Sequence, residues 1–170
     1  MLNALRRNKE RRSLAAKLYA ALVTRARDPV FFARFGVRDT LDGRFDLVAL
    51  HAWLVLERLD AVDAALLAQA FVDAVFVGFD EALRELGAGD IGMGKRVKTL
   101  ADAFYGRLRA YGEAQDEAAM QDALARNLYR GATAGGAKAL ARYVLRAKAC
   151  LKNCNLEGGV LDFGPLPDEE

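Results

Sequence analysis

The sequence contains few of the residues that build metal centres or disulfide-stapled folds. Of its 170 residues, two are cysteine, three are proline, one is tryptophan and one is histidine. Two cysteines cannot hold a disulfide scaffold together, and a single histidine leaves too few ligands for a zinc site. Cys150 and Cys154 lie four apart in a predicted helix, so we expect reduced thiols on its core-facing side. We therefore expect neither a metal nor a cofactor.

Long apolar runs are also missing. The most apolar stretch, residues 64–79, has Asp73 near its middle and is shorter than the roughly 20 apolar residues of a membrane-spanning helix. A charge in that position would cost roughly 2.5 kcal/mol or more on insertion. The chain is therefore predicted to be soluble.

The composition favours helices, because 53% of the residues are apolar, 28% are charged, and glycine and proline are scarce. No strand-like alternation is long enough to require a sheet. We predict an all-α fold, a single compact domain of six or seven helices over residues 1–156, followed by an acidic tail over 157–170. A buried central hairpin joins a helix capped by Asp42 to a second helix, from Asp63 to Leu86, that is apolar on all sides.

The charges are segregated along the chain. Residues 1–27 carry eight Lys and Arg against one Glu, and residues 138–156 carry five Lys and Arg and no acid. Either these charges are solvated and paired within the molecule, or they form a basic face for rRNA, anionic lipid or an acidic protein. An import sequence would also be Arg-rich, but Leu14, Leu18 and Leu22 have the spacing of a helix in the mature domain.

Residues 89–96 (GDIGMGKR) match the G-x-x-x-x-G-K core of a phosphate-binding loop. Arg96 stands where such a loop needs Ser or Thr, and the preceding segment is predicted to be a helix rather than a strand. We interpret the motif as a turn in which Asp90 caps the next helix. Cations in the first turns of that helix oppose its dipole and favour an anionic neighbour. The predicted partner-binding residues are Lys95, Arg96, Lys98 and Arg107.

The sequence shows no catalytic constellation. His51 has neither a nucleophile nor an orienting carboxylate near it in sequence, so we expect it to be buried and hydrogen-bonded. A lesser alternative is a small-ligand binder or enzyme that uses an aromatic groove near His51. The residues of that groove would be Phe31, Phe32, Phe35, Trp53, Phe104 and Tyr105.

Four stretches together resemble a known family. They are DTLDGRFDL at 39–47, LRELG at 83–87, GDIGMGKRVK at 89–98 and AFYGR at 103–107. These stretches are similar to the ubiquinol-cytochrome c chaperones, which are assembly factors for respiratory complex III in mitochondria and related bacteria. The block over 87–107 is long and unusual, and the similarity reaches across most of the chain.

The resemblance implies an all-helical, non-enzymatic assembly chaperone that binds newly made cytochrome b. Mitochondrial members of the family act with a small partner protein at the ribosomal exit region. The Arg- and Ala-rich sequence favours a bacterial homologue in the cytoplasm, with peripheral contact at the inner membrane; in a eukaryote the location would be the mitochondrial matrix. An alternative function is a basic-surface adaptor that binds the ribosome or an anionic membrane. No DNA partner is expected, and the oligomeric state stays open.

Overall fold

A computed structural model describes residues 2–85, 93–131 and 135–166. Within these ranges the chain forms seven α-helices, one 3₁₀ turn and no strand, which confirms the all-α prediction. The helices are α1 (Leu2–Ala26), α2 (Pro29–Ala33), α3 (Leu41–Asp60), α4 (Ala65–Glu85), α5 (Met93–Gly112), α6 (Glu117–Asn127) and α7 (Ala137–Leu151), and the 3₁₀ turn is Leu156–Gly158. None of these helices is long and apolar enough to cross a bilayer.

Helix α3 forms the centre of the fold, because every residue from 45 to 55 is buried. Helices α1, α4, α5 and α7 pack around it. A helix that is covered on all sides has no solvated face for polar side chains. Its two buried polar residues, Asp46 and His51, must therefore find their partners inside the protein.

The start of α3 differs from the prediction. Thr40, and not Asp42, caps the helix, because its Oγ1 accepts a hydrogen bond from Gly43 N at 3.2 Å. Asp42 instead lies in the first turn, where its carboxylate pairs with Arg130 at 2.9 Å. Gly43 is required at this point, since a Cβ there would lie 1.9 Å from the carbonyl oxygen of Arg38.

Helix α4 is less buried than its apolar sequence predicts. Phe71, Val75 and Phe79 are buried, whereas Leu66 and Val77 are exposed. The reason is that α4 packs mainly against α1 and α3, so one side of it faces solvent. Of the two helices in the predicted buried hairpin, α3 is therefore buried and α4 is buried on one side only.

The segment after α1 forms the short helix α2. The Asp28 carboxylate accepts a hydrogen bond from Val30 N at 3.0 Å, and Pro29 occupies the first helical position. Both features suit a helix N-terminus. Helix α2 places Phe31 in the core with its ring centroid 5.4 Å from that of His51.

Helices α6 and α7 pack against each other and close the bundle. Asp116 caps α6 by accepting a hydrogen bond from Ala119 N at 2.8 Å. The turn after α6 is tied to the segment after α2, because the Tyr129 hydroxyl donates to the Phe35 carbonyl at 2.7 Å. The buried stripe of α7 has the spacing of one helix face and includes Leu140, Tyr143, Val144, Ala147 and Leu151.

The segment over 160–166 has no regular structure but packs against the helices. Phe163 is buried, with its ring edge-on to His51 at 5.2 Å, and the Arg25 guanidinium donates to the Gly164 carbonyl. Both cysteines are free, as predicted, but only Cys150 lies in α7; Cys154 follows the end of the helix, which corrects the prediction that both lie in one helix. The half-buried Cys154 Sγ accepts a hydrogen bond from Asp162 N at 3.1 Å, which links this segment to the end of α7.

Candidate binding groove

An open groove of about 650 Å³ lies where α1, α3, α4 and α5 meet. Helix α1 contributes Tyr19 and Val23, and Arg27 follows directly after its last residue. The three are spaced four residues apart, and Arg27 N still donates to the Val23 carbonyl at 3.0 Å, so they share one face. Helix α4 contributes Gly78 and Ala82, also four apart, to the opposing wall. The groove is thus built from matching faces of helices that are distant in sequence.

The floor of the groove is apolar. Phe45 and Phe79 line it with their ring centroids 5.0 Å apart, and each is 8% exposed. Val48 and Leu100 lie beside them in the lining. Phe104 supports Phe79 from the core, with ring centroids 6.0 Å apart. The rings are held firmly by the core while their edges remain available to another apolar group.

Gly78 allows α1 and α4 to approach closely at this wall. A Cβ at position 78 would lie 1.9 Å from the Tyr19 hydroxyl oxygen, so only glycine fits without displacing the tyrosine. Burial raises the pKa of Tyr19, although Arg27 opposes this effect. Tyr19 is therefore a neutral phenol across the physiological pH range.

The rim of the groove carries an excess of positive charge. Lys95 and Arg96, in the first turns of α5, line the groove together with Arg27 from the end of α1. None of these three cations forms an ion pair with any of the residues that the structure describes. A fourth cation, Arg44, is paired with Asp39 at 2.6 Å.

The structure places the four predicted partner-binding residues in three different environments. Lys95 and Arg96 line the groove, and Lys98 is exposed on α5 outside the lining. Arg107 is different, because its side chain is only 15% exposed and its Nε donates to Asp46 Oδ1 at 2.6 Å. Its guanidinium is used inside the fold, which corrects the expectation that it faces a partner.

Asp46 and its two arginines form a buried ionic cluster directly behind the groove floor. Arg130 donates to the second carboxylate oxygen at 3.2 Å, and the Arg107 guanidinium lies 5.0 Å from the ring centroid of Phe45. Burial raises the pKa of Asp46, and the two guanidinium groups act in the opposite direction. The cluster joins α3, α5 and the turn after α6, and so fixes the position of Phe45.

The six aromatic residues predicted to form a groove do not come together. Four of them are buried in different parts of the core, where aromatic side chains at helical spacing commonly pack: Phe31, Phe35, Trp53 and Phe104. Phe32 lines a separate hollow beside Arg27 and Arg44, and Tyr105 is half-exposed with its ring 6.2 Å from Phe76. None of the six lines the groove between α1, α3, α4 and α5.

His51 is buried and hydrogen-bonded, as predicted. Its Nδ1 lies 2.8 Å from the Leu47 carbonyl and its Nε2 lies 2.8 Å from the Tyr143 hydroxyl. The Leu47 carbonyl can only accept, so Nδ1 carries the proton and Nε2 accepts from Tyr143. Burial lowers the pKa of His51 to about 4, so the ring is neutral and has no free nitrogen for acid-base chemistry.

Within the described ranges, no group of three or more His, Cys, Asp or Glu residues is placed to hold a metal ion. The first half of the glycine-rich motif that resembles a phosphate loop, residues 89–92 with the predicted cap Asp90, lies outside the described residues. Its last cations, Lys95 and Arg96, are the part that reaches the groove.

Sequence reasoning missed the groove floor. Phe45, Val48 and Phe79 have the spacing of ordinary core residues, and nothing in the sequence separates a core residue from one at the edge of the core. Gly78 was the available signal, because a glycine inside a helix lowers its stability and so often has a packing reason, which here is the Tyr19 side chain.

Comparison with known proteins now bears on this site. The family model described as ubiquinol-cytochrome C chaperone matches residues 33–158. The chain belongs to this family. The crystal structure of the Cbp3 homolog from Brucella abortus is similar, with 36% sequence identity, a TM-score of 0.81 and 97% of each chain covered. No curated protein matches the sequence significantly.

Membership in the family confirms the resemblance found in the sequence and supports a role as an assembly chaperone with a protein client. The matched region contains α3, α4 and α5, which supply the floor and the Lys95–Arg96 rim of the groove. Helix α1, which supplies the remaining wall, lies before the matched region but within the similarity to the bacterial structure.

Proposed function

We propose that this protein is a non-enzymatic assembly chaperone that holds newly made cytochrome b, and that the client docks in the groove between α1, α3, α4 and α5. The observation that carries the proposal is an open groove whose apolar floor contains the edges of Phe45 and Phe79, beside three cations without ion pairs among the described residues. Family membership supports the chaperone role, and the groove supplies a surface suited to it.

The groove has the character needed to hold part of such a client. Its volume of about 650 Å³ is that of a site for a small molecule, roughly 300–1,000 Å³, so it would receive a few apolar side chains rather than a whole helix. Segments of a membrane protein that has not yet inserted expose apolar side chains to water. Covering them contributes about 25 cal/mol for each Å² of apolar surface removed from water, from which the entropic cost of association is subtracted.

The proposal is tested in the source organism by deleting the gene and restoring it as wild type or as Leu41→Asp. Leu41 lines the groove, is 46% exposed and begins α3, where an aspartate is compatible with the helix. Leu66→Asp is the matched control, because Leu66 is 66% exposed in the first turn of α4 and does not line the groove.

We expect the deletion to lose assembled cytochrome b, measured by haem difference spectra and by immunodetection in native gels, with its transcript unchanged. Wild type and Leu66→Asp should restore the complex. Leu41→Asp should not, because an apolar client in the groove would have to cover a carboxylate and remove it from water. Normal cytochrome b in the deletion strain would refute the proposed function. Rescue by Leu41→Asp would refute the location of the site.

A second candidate function is supported by the first half of α1. Residues 3–10 are all exposed, and Ala15 is the first buried residue of the helix. Five cations lie between positions 6 and 12 against one carboxylate, Glu10, which pairs with Arg6 at 3.4 Å. This basic end suits an adaptor that contacts the ribosome or an anionic membrane surface.

The adaptor function is tested by binding to purified ribosomes and to vesicles with and without anionic lipid. Reversing Arg7, Lys9 and Arg12 to Glu should abolish any such binding, and binding of the wild type should fall steeply with salt. If that variant still supports cytochrome b accumulation fully, contact through α1 is not required for the chaperone role.

A further inference from the structure

The charges around the groove do not balance. Its lining contains four cations, Arg27, Arg44, Lys95 and Arg96, and two carboxylates, Asp42 and Glu85. Arg44 is neutralised by Asp39 at 2.6 Å, and Asp42 by Arg130 at 2.9 Å. Three cations and one exposed carboxylate, Glu85, remain. None of them forms an ion pair with another described residue.

Two of the remaining cations stand where positive charge is least favourable. Lys95 and Arg96 are neighbours in the first turns of α5, which begins at Met93. The N-terminal end of a helix carries partial positive charge, and cations there are destabilising unless an anion lies close. An anionic group beside the groove would therefore be attracted by both side chains and by the helix itself.

We infer that the groove selects an apolar segment that carries carboxylates at one end and rejects the same segment when it is flanked by Lys or Arg. This inference rests on the proposed client-binding function and specifies the chemistry of the client. Phe45 and Phe79 receive the apolar part, while Arg27, Lys95 and Arg96 meet the carboxylates. The opposite charges of the groove and the client give such a contact specificity as well as affinity.

The selection has a consequence for which part of a membrane protein is held. The cytoplasmic loops next to membrane-spanning helices are rich in Lys and Arg. A basic rim repels those ends of the client, so only segments whose flanking loop is acidic are bound at this groove. The chaperone thus recognises a particular region of its client rather than apolar sequence in general.

The test uses three synthetic peptides with one apolar core and two flanking residues, which are Glu, Gln or Lys. Each carries a fluorophore at its far end, and binding to the full-length protein is followed by anisotropy at low and high salt. The Glu peptide should bind about ten times more tightly than the Lys peptide in dilute buffer, with the Gln peptide between them. High salt should bring the three affinities together, because exposed charges are screened.

The charge variant is Lys95→Gln with Arg96→Gln, and its control is Arg109→Gln with Lys138→Gln. The control residues are exposed cations that do not line the groove, and Arg109 lies on the same helix as Lys95. The charge variant should remove most of the difference between Glu and Lys peptides while the Gln peptide binds as before. The control variant should keep the difference.

The inference is overturned if Glu and Lys peptides bind equally in dilute buffer, or if none of the three binds. It is also overturned if the free protein is a dimer that Leu41→Asp dissociates, because a second copy would then occupy the groove. The proposed function is measured separately, by cytochrome b accumulation in the Leu41→Asp strain. Equal peptide binding together with loss of cytochrome b would reject the charge selection and leave the chaperone role in place.

Discussion

The Arg107 guanidinium donates to the Asp46 carboxylate at 2.6 Å, behind the aromatic floor of the groove. The carboxylate is fully buried and is also reached by Arg130 at 3.2 Å. Breaking a buried ion pair completely typically costs about 3–5 kcal/mol. Removing Arg107 would leave Asp46 with only the longer contact to the more exposed Arg130, so the cost lies towards the lower end of that range. This pair therefore supports the fold and, through Phe45, the shape of the groove.

Arg107→Met is expected to lower the free energy of unfolding by about 3 kcal/mol at neutral pH, because Asp46 then keeps only its contact with Arg130. The measurement is urea denaturation followed by circular dichroism. Arg44→Met is the control, because its pair with Asp39 is exposed and should contribute about 1 kcal/mol or less. Adding Asp46→Asn to Arg107→Met should recover part of the loss, since no charge then remains buried.

The same variant has a defined pH dependence. Because burial raises the pKa of Asp46 in the folded state, protonating this carboxyl favours folding, and that contribution is lost as pH rises through the folded-state pKa. The deficit of Arg107→Met relative to wild type should therefore shrink as pH is lowered towards that pKa. A deficit that stays constant with pH would show that Arg107 acts through packing alone.

His51 should make the protein acid-sensitive. Burial depresses its pKa to about 4 from 6.5, so its contribution to stability is complete above pH 6.5 and is lost as pH falls through 4. The shift corresponds to about 3 kcal/mol. As His51 is the single histidine of the sequence, its imidazole resonance in untagged protein can be titrated by NMR without ambiguity. A midpoint near 6.5 would contradict the buried environment.

Two glycines inside helices should respond oppositely to alanine. At Gly78 a Cβ would meet the Tyr19 hydroxyl at 1.9 Å, so Gly78→Ala should cost about 1–3 kcal/mol by overpacking. At Gly106, which is an exposed position of α5, a Cβ would meet nothing within 4 Å. Gly106→Ala should therefore stabilise the protein by about 0.5–1 kcal/mol. Thermal denaturation of both variants distinguishes them, and equal effects would refute the close contact of α1 with α4.

Phe163 should anchor the segment after α7. Its buried ring packs edge-on against His51, so Phe163→Ala should cost about 3–5 kcal/mol. Opening this contact also admits water to His51, so its pKa should rise towards 6.5 in the same NMR titration. Leu166→Ala, in the half-buried end of the segment, should leave the pKa of His51 where it is in the wild type. An unchanged His51 titration in Phe163→Ala would show that the segment does not shield the imidazole.

The helical content and most helix limits follow from the sequence, because they depend on local chemistry. The apolar stripe of α7 and the end of α1 before Pro29 were both predictable from residue spacing and the restriction that proline places on its neighbour. The sequence could not predict that Thr40 rather than Asp42 caps α3. Both residue types are suitable caps, and the choice depends on the position at which the chain turns into the helix.

The environment of each side chain was decided by the tertiary structure. Arg107 and Lys95 are both cations on α5, yet one is enclosed beside Asp46 and the other lines the groove. Helix α4 is apolar enough to be buried on every side, but only the helices that pack against it determine which side is covered. The sequence by itself determined an all-α chain of this chaperone family. Only the packing of α1, α3, α4 and α5 created the groove, because a surface between distant segments depends on contacts that local sequence does not encode.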